Sequence, residues 1–277
     1  MLADSAYGKS GVRLVQVARR GDRHDLRDLT VAIRFEGDYD ASYVEGDNSD
    51  VLPTDTMKNT VYAFAARSPL EELESFALSL AEHFLERNPK ANRVTIDILE
   101  HVWRRIEVGG KDSGHSFLRH GPEKRSAQVR LDREEAQVRA GIADLLILKS
   151  AQSAFSGFPR DEYTTLPETR DRLLATSLTA TWRYDVGIAY GPAWRAVRNT
   201  LLETFATHRS ESVQHTLHAM GQAVLDTVPE VAEIHIVMPN RHHLPVDVTP
   251  FGLSNRNEVF VATEEPFGLI QATVRRP

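Results

Sequence analysis

Five short stretches of the chain gather residues suited to proton transfer, anion binding or stacking. They are Tyr7-Gly8-Lys9, the run Leu52 to Asn59 (LPTDTMKN), the run Ser153 to Leu166 (SAFSGFPRDEYTTL) with Arg172 beyond it, Ser212-Val213-Gln214, and the run Met238 to His243 (MPNRHH). Lysine, threonine and histidine can pass protons, arginine and glutamine present planar arrays of donors, and a phenylalanine ring offers a stacking face. Gly8-Lys9-Ser10 has the look of a phosphate-binding loop, but such a loop needs a glycine five residues ahead of Gly8, a strand before it and a helix behind it. Ala3 stands at the glycine position, and the residues beyond Ser10 alternate as a strand does, Val12, Leu14 and Gln16 against Arg13, Val15 and Val17. Lys9 is therefore left at the mouth of a strand, without a phosphate to clamp.

Each of these residues also has a plainer use. A lysine near the start of a chain is usually a solvated charge, Thr54-Asp55-Thr56 can be merely a turn and cap introducing the segment toward Val61-Tyr62, and Asn240 after Pro239 is an ordinary turn residue. Arg172 can be a surface ion-pair partner, Phe155 core, and Gln214 solvent-facing. His242-His243, or His215 with His218 on one helix face, could suggest a metal, but no His-Glu-x-x-His pattern and no cysteine supports it. No metal site is expected. Dinucleotide-binding (Gly-x-Gly-x-x-Gly) and hydrolase (Gly-x-Ser-x-Gly) signatures are absent as well.

The elements that must hold these stretches can be read from periodicity. Val12 to Arg19 and Leu29 to Phe35 form a hairpin about Gly21-Asp22, and Ser68-Pro69-Leu70-Glu71 reads as a helix start. It introduces an apolar stripe of Leu70, Leu73, Phe76, Ala77, Leu80, Ala81, Phe84 and Leu85. Alternation through Val94, Ile96, Ile98, Glu100, Val102, Arg104, Ile106 and Val108, then around Ala127 to Leu131, gives two further strands. The second half repeats this order, with strands at Ala143 to Lys149 and Leu178 to Val186 and helical stretches from Pro192 and through Val213 to Val224, separated by a break near Ser210. Strands at Val231 to Met238 and from Glu258 to Thr263 or beyond complete it. The expected class is α+β: antiparallel sheets with helices on one face, in two copies divided within the charged stretch after Leu131, as residues 1–136 and 137–277. Uncovered strand faces and open sheet edges predict an oligomer.

Composition narrows the partners. At 277 residues with 41% apolar content the chain can bury a core of its own, and no apolar run approaches the ~20 residues that span a bilayer. A net charge of −6, from 33 basic and 39 acidic residues scattered along the chain, offers no basic face for nucleic acid. The acidity also means that an anionic substrate needs a local positive cluster. The absence of cysteine excludes disulfides and thiolate chemistry and fits a reducing compartment.

Together the five stretches resemble the urate oxidase (uricase) family, nearly end to end: Tyr-Gly-Lys before the first strand, Thr-Asp-Thr-Met-Lys-Asn-Thr, Phe-x-Gly-Phe-x-Arg-Asp-Glu-Tyr-Thr-Thr-Leu with Asp-Arg further on, Ser-Val-Gln, and Pro-Asn-x-His. The resemblance implies two tandem T-fold (tunnelling-fold) units per chain, barrels closed between subunits, and a homotetramer. It implies oxidation of urate by O2 and water to 5-hydroxyisourate and hydrogen peroxide with no cofactor. By the same resemblance Phe155 stacks on the purine, Arg172 forks onto one edge and Gln214 binds the other, with Leu166 and Val213 completing the contacts. Lys9, Thr54 and His242 would form a proton relay, Asn240 with Thr54 would hold oxygen or water above the ring, and Lys9, Thr54 and Asp55 would come from a neighbouring subunit. Pro-Asn-x-His favours His242 over His243. The ending Val274-Arg275-Arg276-Pro277 is not of the peroxisomal Ser-Lys-Leu type, so a cytoplasmic setting is expected, with neither membrane nor nucleic acid as partner. The competing readings are another T-fold enzyme acting on a purine or pterin, and a non-catalytic purine-binding T-fold protein.

Overall fold

The computed structural model describes residues 2–67, 69–184 and 187–276. Packing divides it into two compact units, one comprising residues up to Gly141 with Arg183–Trp194, the other Ile142–Trp182 with the residues from Arg195 onward.

In the first unit β1 (Ala6–Arg20) and β2 (Arg23–Gly37) form the expected hairpin, with Arg20 opposite Arg23 and Lys9 opposite Ile33. Leu29, Val31, Ile33 and Phe35 alternate onto the buried face, as a strand with one covered side requires. Three helices follow: α1 (Asp40–Val44), α2 (Thr54–Arg67) and α3 (Leu73–Arg87). Strands β3 (Ala91–Val108) and β4 (Lys111–Asp132) then extend the sheet in the order β1-β2-β3-β4, each neighbouring pair antiparallel. Helix α2 packs on β1, and α3 on β3 and β4. The whole apolar stripe read for α3 is buried. Alternation along β3 holds for Val94, Ile96 and Ile98 but not to its end: bulges after His101 and Arg105 interrupt the register, and Ile106 and Val108 are exposed.

The second unit carries most of β5 (Ala136–Lys149), then β6 (Leu174–Tyr184), α4 (Tyr190–Thr207, begun in the first unit), α5 (Val213–Thr227) and β7 (Val231–Pro239). A separate two-stranded ribbon of β8 (His243–Pro245) and β9 (Phe260–Ala262) precedes β10 (Leu269–Arg275). Strand neighbours run β5-β6-β7-β10, with α5 packed on β7 and β10. This is the plan of the first unit over again, two long helices inserted between the second and third strands of a four-stranded row, with no counterpart of the short α1 among the described residues. The class is α+β.

Three expectations are corrected. The stretch after Thr54 is a helix of its own, α2, and not merely a turn and cap. Helix α3 begins at Leu73, because Pro69–Glu72 is held in another conformation by side chains from the hairpin: Leu70 N donates to Gln16 Oε1 at 2.8 Å, and Arg27 donates to the carbonyls of Leu70 and Glu71 at 3.0 and 2.9 Å. Tertiary hydrogen bonds here override a local helix-start signal; Ser68, its proposed cap, lies outside the described residues. The strand read at Glu258 to Thr263 is β9, which pairs with β8, while the strand beside β7 is β10. The expected end of β6 at Val186 lies outside the described residues.

Candidate active site

The second unit builds most of the cluster from irregular backbone. Residues 153–155 lie across two other segments: Ala154 N donates to Ser210 O at 2.7 Å, and Phe155 and Thr169 exchange backbone hydrogen bonds at 2.8 and 3.0 Å. Arg172 N donates to Ser153 O at 3.0 Å, which fixes the arginine beside the same strip. Two residues past Ser210, the hydroxyl of Ser212 accepts from His215 N at 3.1 Å and caps α5, whose first residues are Val213 and Gln214. Beyond Arg172, Ala175 O accepts from Arg241 N at 2.8 Å and Thr176 bridges Asn240. Backbone ties thus gather the segments carrying Phe155, Arg172, Val213, Gln214, Asn240 and His242.

The side chains there are poised for a flat anion. The Arg172 guanidinium stands 5.2 Å from the centroid of the Phe155 ring, and its Nε is buried with no hydrogen-bond partner among the described residues. Burial lowers its pKa from the ordinary guanidinium value, the mark of a cation held in a poorly hydrated place. A half-buried guanidinium with a donor to spare is a fork for a carboxylate-like or enolate-like edge. Asn240 Nδ2 lies 3.5 Å from His242 Nδ1, whereas His243 Nδ1 is paired with Arg241 O at 3.0 Å, so His242 is the imidazole that meets Asn240. Val213 is buried, Gln214 is exposed, and Leu166 sits on an exposed loop at 52% accessibility.

One residue of this cluster escaped the sequence reading. Phe158 stacks on Phe155 with centroids 4.9 Å apart and planes inclined by 14°, and Arg160 lies 5.3 Å over Phe158 while donating to Leu166 O at 3.3 Å. The fold-back rests on Gly157, whose φ of +74° other residues adopt only with strain. Phe158 stood inside the quoted run, but only the turn shows that it braces the ring.

The first unit assembles Lys9, Thr54 and Asp55. Lys9 is half-buried on β1, just before a bulge in the β1-β2 pairing. Thr54 opens α2, and Asp55 beside it accepts from Lys58 and from Asn59 Nδ2, the latter at 2.9 Å. Lys58 is the main reason that the Asp55 carboxyl is held below its usual range, and the charge of Lys9 adds to the effect. Lys9 and Asp55 are therefore within electrostatic reach of each other. Among the described residues no three histidine, cysteine or acidic side chains converge as a metal site would.

Comparison with known proteins matches the chain nearly end to end. The uricase family model covers residues 5–130 and 138–271. A uricase of Arthrobacter globiformis is 44% identical over 277 residues, spanning 100% of this chain and 90% of that protein. The chain belongs to the uricase family. A Danio rerio uricase is 40% identical over 281 residues, covering 98% of this chain and 94% of its own. Solved uricases share the fold: the crystal structure from Arthrobacter globiformis aligns with a TM-score of 0.94, covering 100% of this chain and 95% of that one. One from Bacillus fastidious, 26% identical, aligns at 0.85, covering 98% and 93%. Every candidate residue lies within the stretches that the uricase model matches.

Proposed function

We propose that the protein is a urate oxidase in which Arg172 and Phe155 receive the purine. The observation that carries this assignment to the site is the half-buried Arg172 fork, its Nε buried and unpartnered among the described residues, beside the Phe155 ring. Urate is flat, aromatic and anionic; it matches an in-plane cationic fork, a stacking face and an amide at the opposite edge, the last supplied by Gln214 at the start of α5. Leu166 and Val213 complete the contact.

The chemistry is deprotonation followed by oxidation. Urate, O2 and water give 5-hydroxyisourate and hydrogen peroxide, so two electrons leave the purine, O2 is reduced to peroxide, and the oxygen of water enters at carbon. Lys9, Thr54 and His242 pass the protons, and Asn240 with Thr54 holds O2 or the attacking water. The protein's contribution is positioning and electrostatics, with no organic cofactor or metal.

Lys9, Thr54 and Asp55 complete the site from a neighbouring subunit of a homotetramer. In support, the single chain exposes apolar strand residues such as Val15 at 60%, Leu146 at 61% and Leu148 at 50%, which a subunit contact would cover. Urate loss followed by ultraviolet absorbance, with oxygen uptake recorded together on chelator-treated protein, tests the assignment. Equimolar loss of urate and O2 without additives is expected. Tight urate binding without oxygen uptake would mean a purine-binding protein instead.

A further inference from the structure

The segment between β2 and α2 is tied to the strand that carries Lys9. Three contacts converge on Ala6 and Tyr7: Tyr43 Oη donates to Ala6 O at 3.1 Å, Leu52 N donates to Tyr7 Oη at 3.0 Å, and the Tyr39 ring meets the Tyr7 ring edge-on at 4.8 Å. Phe35, from β2, packs edge-on against the same ring at 5.6 Å. Tyr7 stands two residues before Lys9, and Leu52 two residues before Thr54. The spacing is rigid at both ends. Gly8 brings β1 so near β2 that a Cβ there would lie 1.9 Å from Ile33 O, and from Thr54 onward the chain is α2, which docks on β1 through Tyr62 Oη donating to Arg13 O at 3.3 Å.

We infer that Tyr7 is a positioning residue for the relay: its phenol oxygen, accepting from Leu52, sets the place of Thr54 relative to Lys9. The inference rests on the proposed urate oxidation. Tyr7 touches no reacting atom. Its ring could pack equally well as phenylalanine, so the hydroxyl is what the packing leaves to be explained. Without it, the Leu52 N–H loses its acceptor and the residues just ahead of Thr54 lose a hydrogen bond to the Tyr7 side chain. Lys9 keeps its place, because the β1-β2 pairing holds it. A displacement well under a hydrogen-bond length between two members of a proton relay lowers the rate of proton transfer without disturbing the surfaces of Phe155 and Arg172.

Tyr7→Phe keeps the edge-on packing and removes the acceptor. In the full-length protein its expected effect is a loss of roughly tenfold in kcat, the scale of one net hydrogen bond, with KM for urate changed less than about twofold. Repeating the substitution on a Lys9→Met background separates positioning from general support. If Tyr7 acts through the relay, the second substitution leaves the residual rate of Lys9→Met unchanged. An unaltered kcat in Tyr7→Phe, a rise in KM matching the fall in kcat, or the same fall in both backgrounds would each overturn the inference. A wild-type protein that consumes neither urate nor O2 would defeat the functional proposal itself, and is read before any variant is made.

Discussion

The two units follow one plan but carry their reactive residues differently. In the first, Lys9 lies on a strand and Thr54 and Asp55 at the start of a helix, so these candidates sit on regular structure. In the second, the corresponding strands and helices are almost bare of candidates. Phe155, Leu166 and Arg172 lie between β5 and β6, Asn240 and His242 just beyond β7, and Val213 and Gln214 at the very start of α5. A duplicated scaffold can thus place a proton donor on regular structure, where its spacing to a neighbour is fixed by strand and helix geometry. A pocket that must wrap a flat ligand needs segments free to bend, and loops supply them.

The proposed division of labour is that the first unit supplies two of the three relay residues, Lys9 and Thr54, while the second supplies most of the binding surface and only His242 to the relay. Lys9→Met tests it with the largest expected effect, a fall in kcat of roughly 10²–10⁴-fold, the usual contribution of acid-base catalysis, with urate affinity by equilibrium titration held within a few-fold. If affinity collapses with turnover, the division fails. Arg172→Gln probes the other side. It removes the charge while keeping a planar amide, and should cost roughly 10²–10³-fold in kcat/KM, mostly through KM, because truncating a desolvated ionic contact costs about 3–4 kcal/mol. A lower kcat at unchanged KM would move Arg172 from binding to catalysis.

Much of this scaffold is legible in the chain itself. The α3 stripe announces itself because eight apolar residues recur at helical spacing and all are buried. Helix α2 is easily missed because its buried line is thin, Met57, Val61 and Ala65 at intervals of four, among polar residues that read equally well as a turn. The start of α3 misleads because Ser-Pro-Leu-Glu is a sound local cap, while Arg27 and Gln16, more than forty residues earlier, hold that segment in another shape. The site residues are legible as short motifs, but their grouping is not. No local pattern says that residue 154 will bond to residue 210, or that Gly157 will turn Phe158 onto Phe155.

Ser212→Ala carries a smaller expected effect. The hydroxyl caps α5 one residue before the Val213-Gln214 pair, so its loss should lower stability by about 1 kcal/mol and raise KM for urate a few-fold, with kcat nearly unchanged. Denaturant unfolding and steady-state kinetics on one preparation check both. A kcat effect as large as that of Lys9→Met would show that the second unit's helix start takes part in proton transfer, and would erase the contrast between the units.

The smallest effect concerns acid. His208 lies between the two helices of the second unit, its Nε2 buried without a partner among the described residues and its ring edge-on to His215 at 4.4 Å. Lys149 donates to the carbonyls of Phe205 and His208 nearby. Burial, then the charges of His215 and Lys149, lower the pKa of His208 below its ordinary 6.5, with Glu211 opposing. The unfolded chain therefore takes up this proton first as pH falls. The stability that the neutral ring provides is fully present above about pH 6.5 and is lost progressively as pH drops toward the folded value. The first unit has its own burial-lowered histidines, His83 against Phe64 and Phe84, and His101. Denaturant midpoints at pH 7.5, 6.5 and 5.5 should therefore fall in the wild type, and fall less in His208→Phe, which fills the same space without taking a proton. If the acid slope is unchanged in His208→Phe but shallower in His83→Phe, the first unit is the acid-sensitive one. The binding half would then owe its pH dependence to ligand chemistry rather than to the helices that carry it.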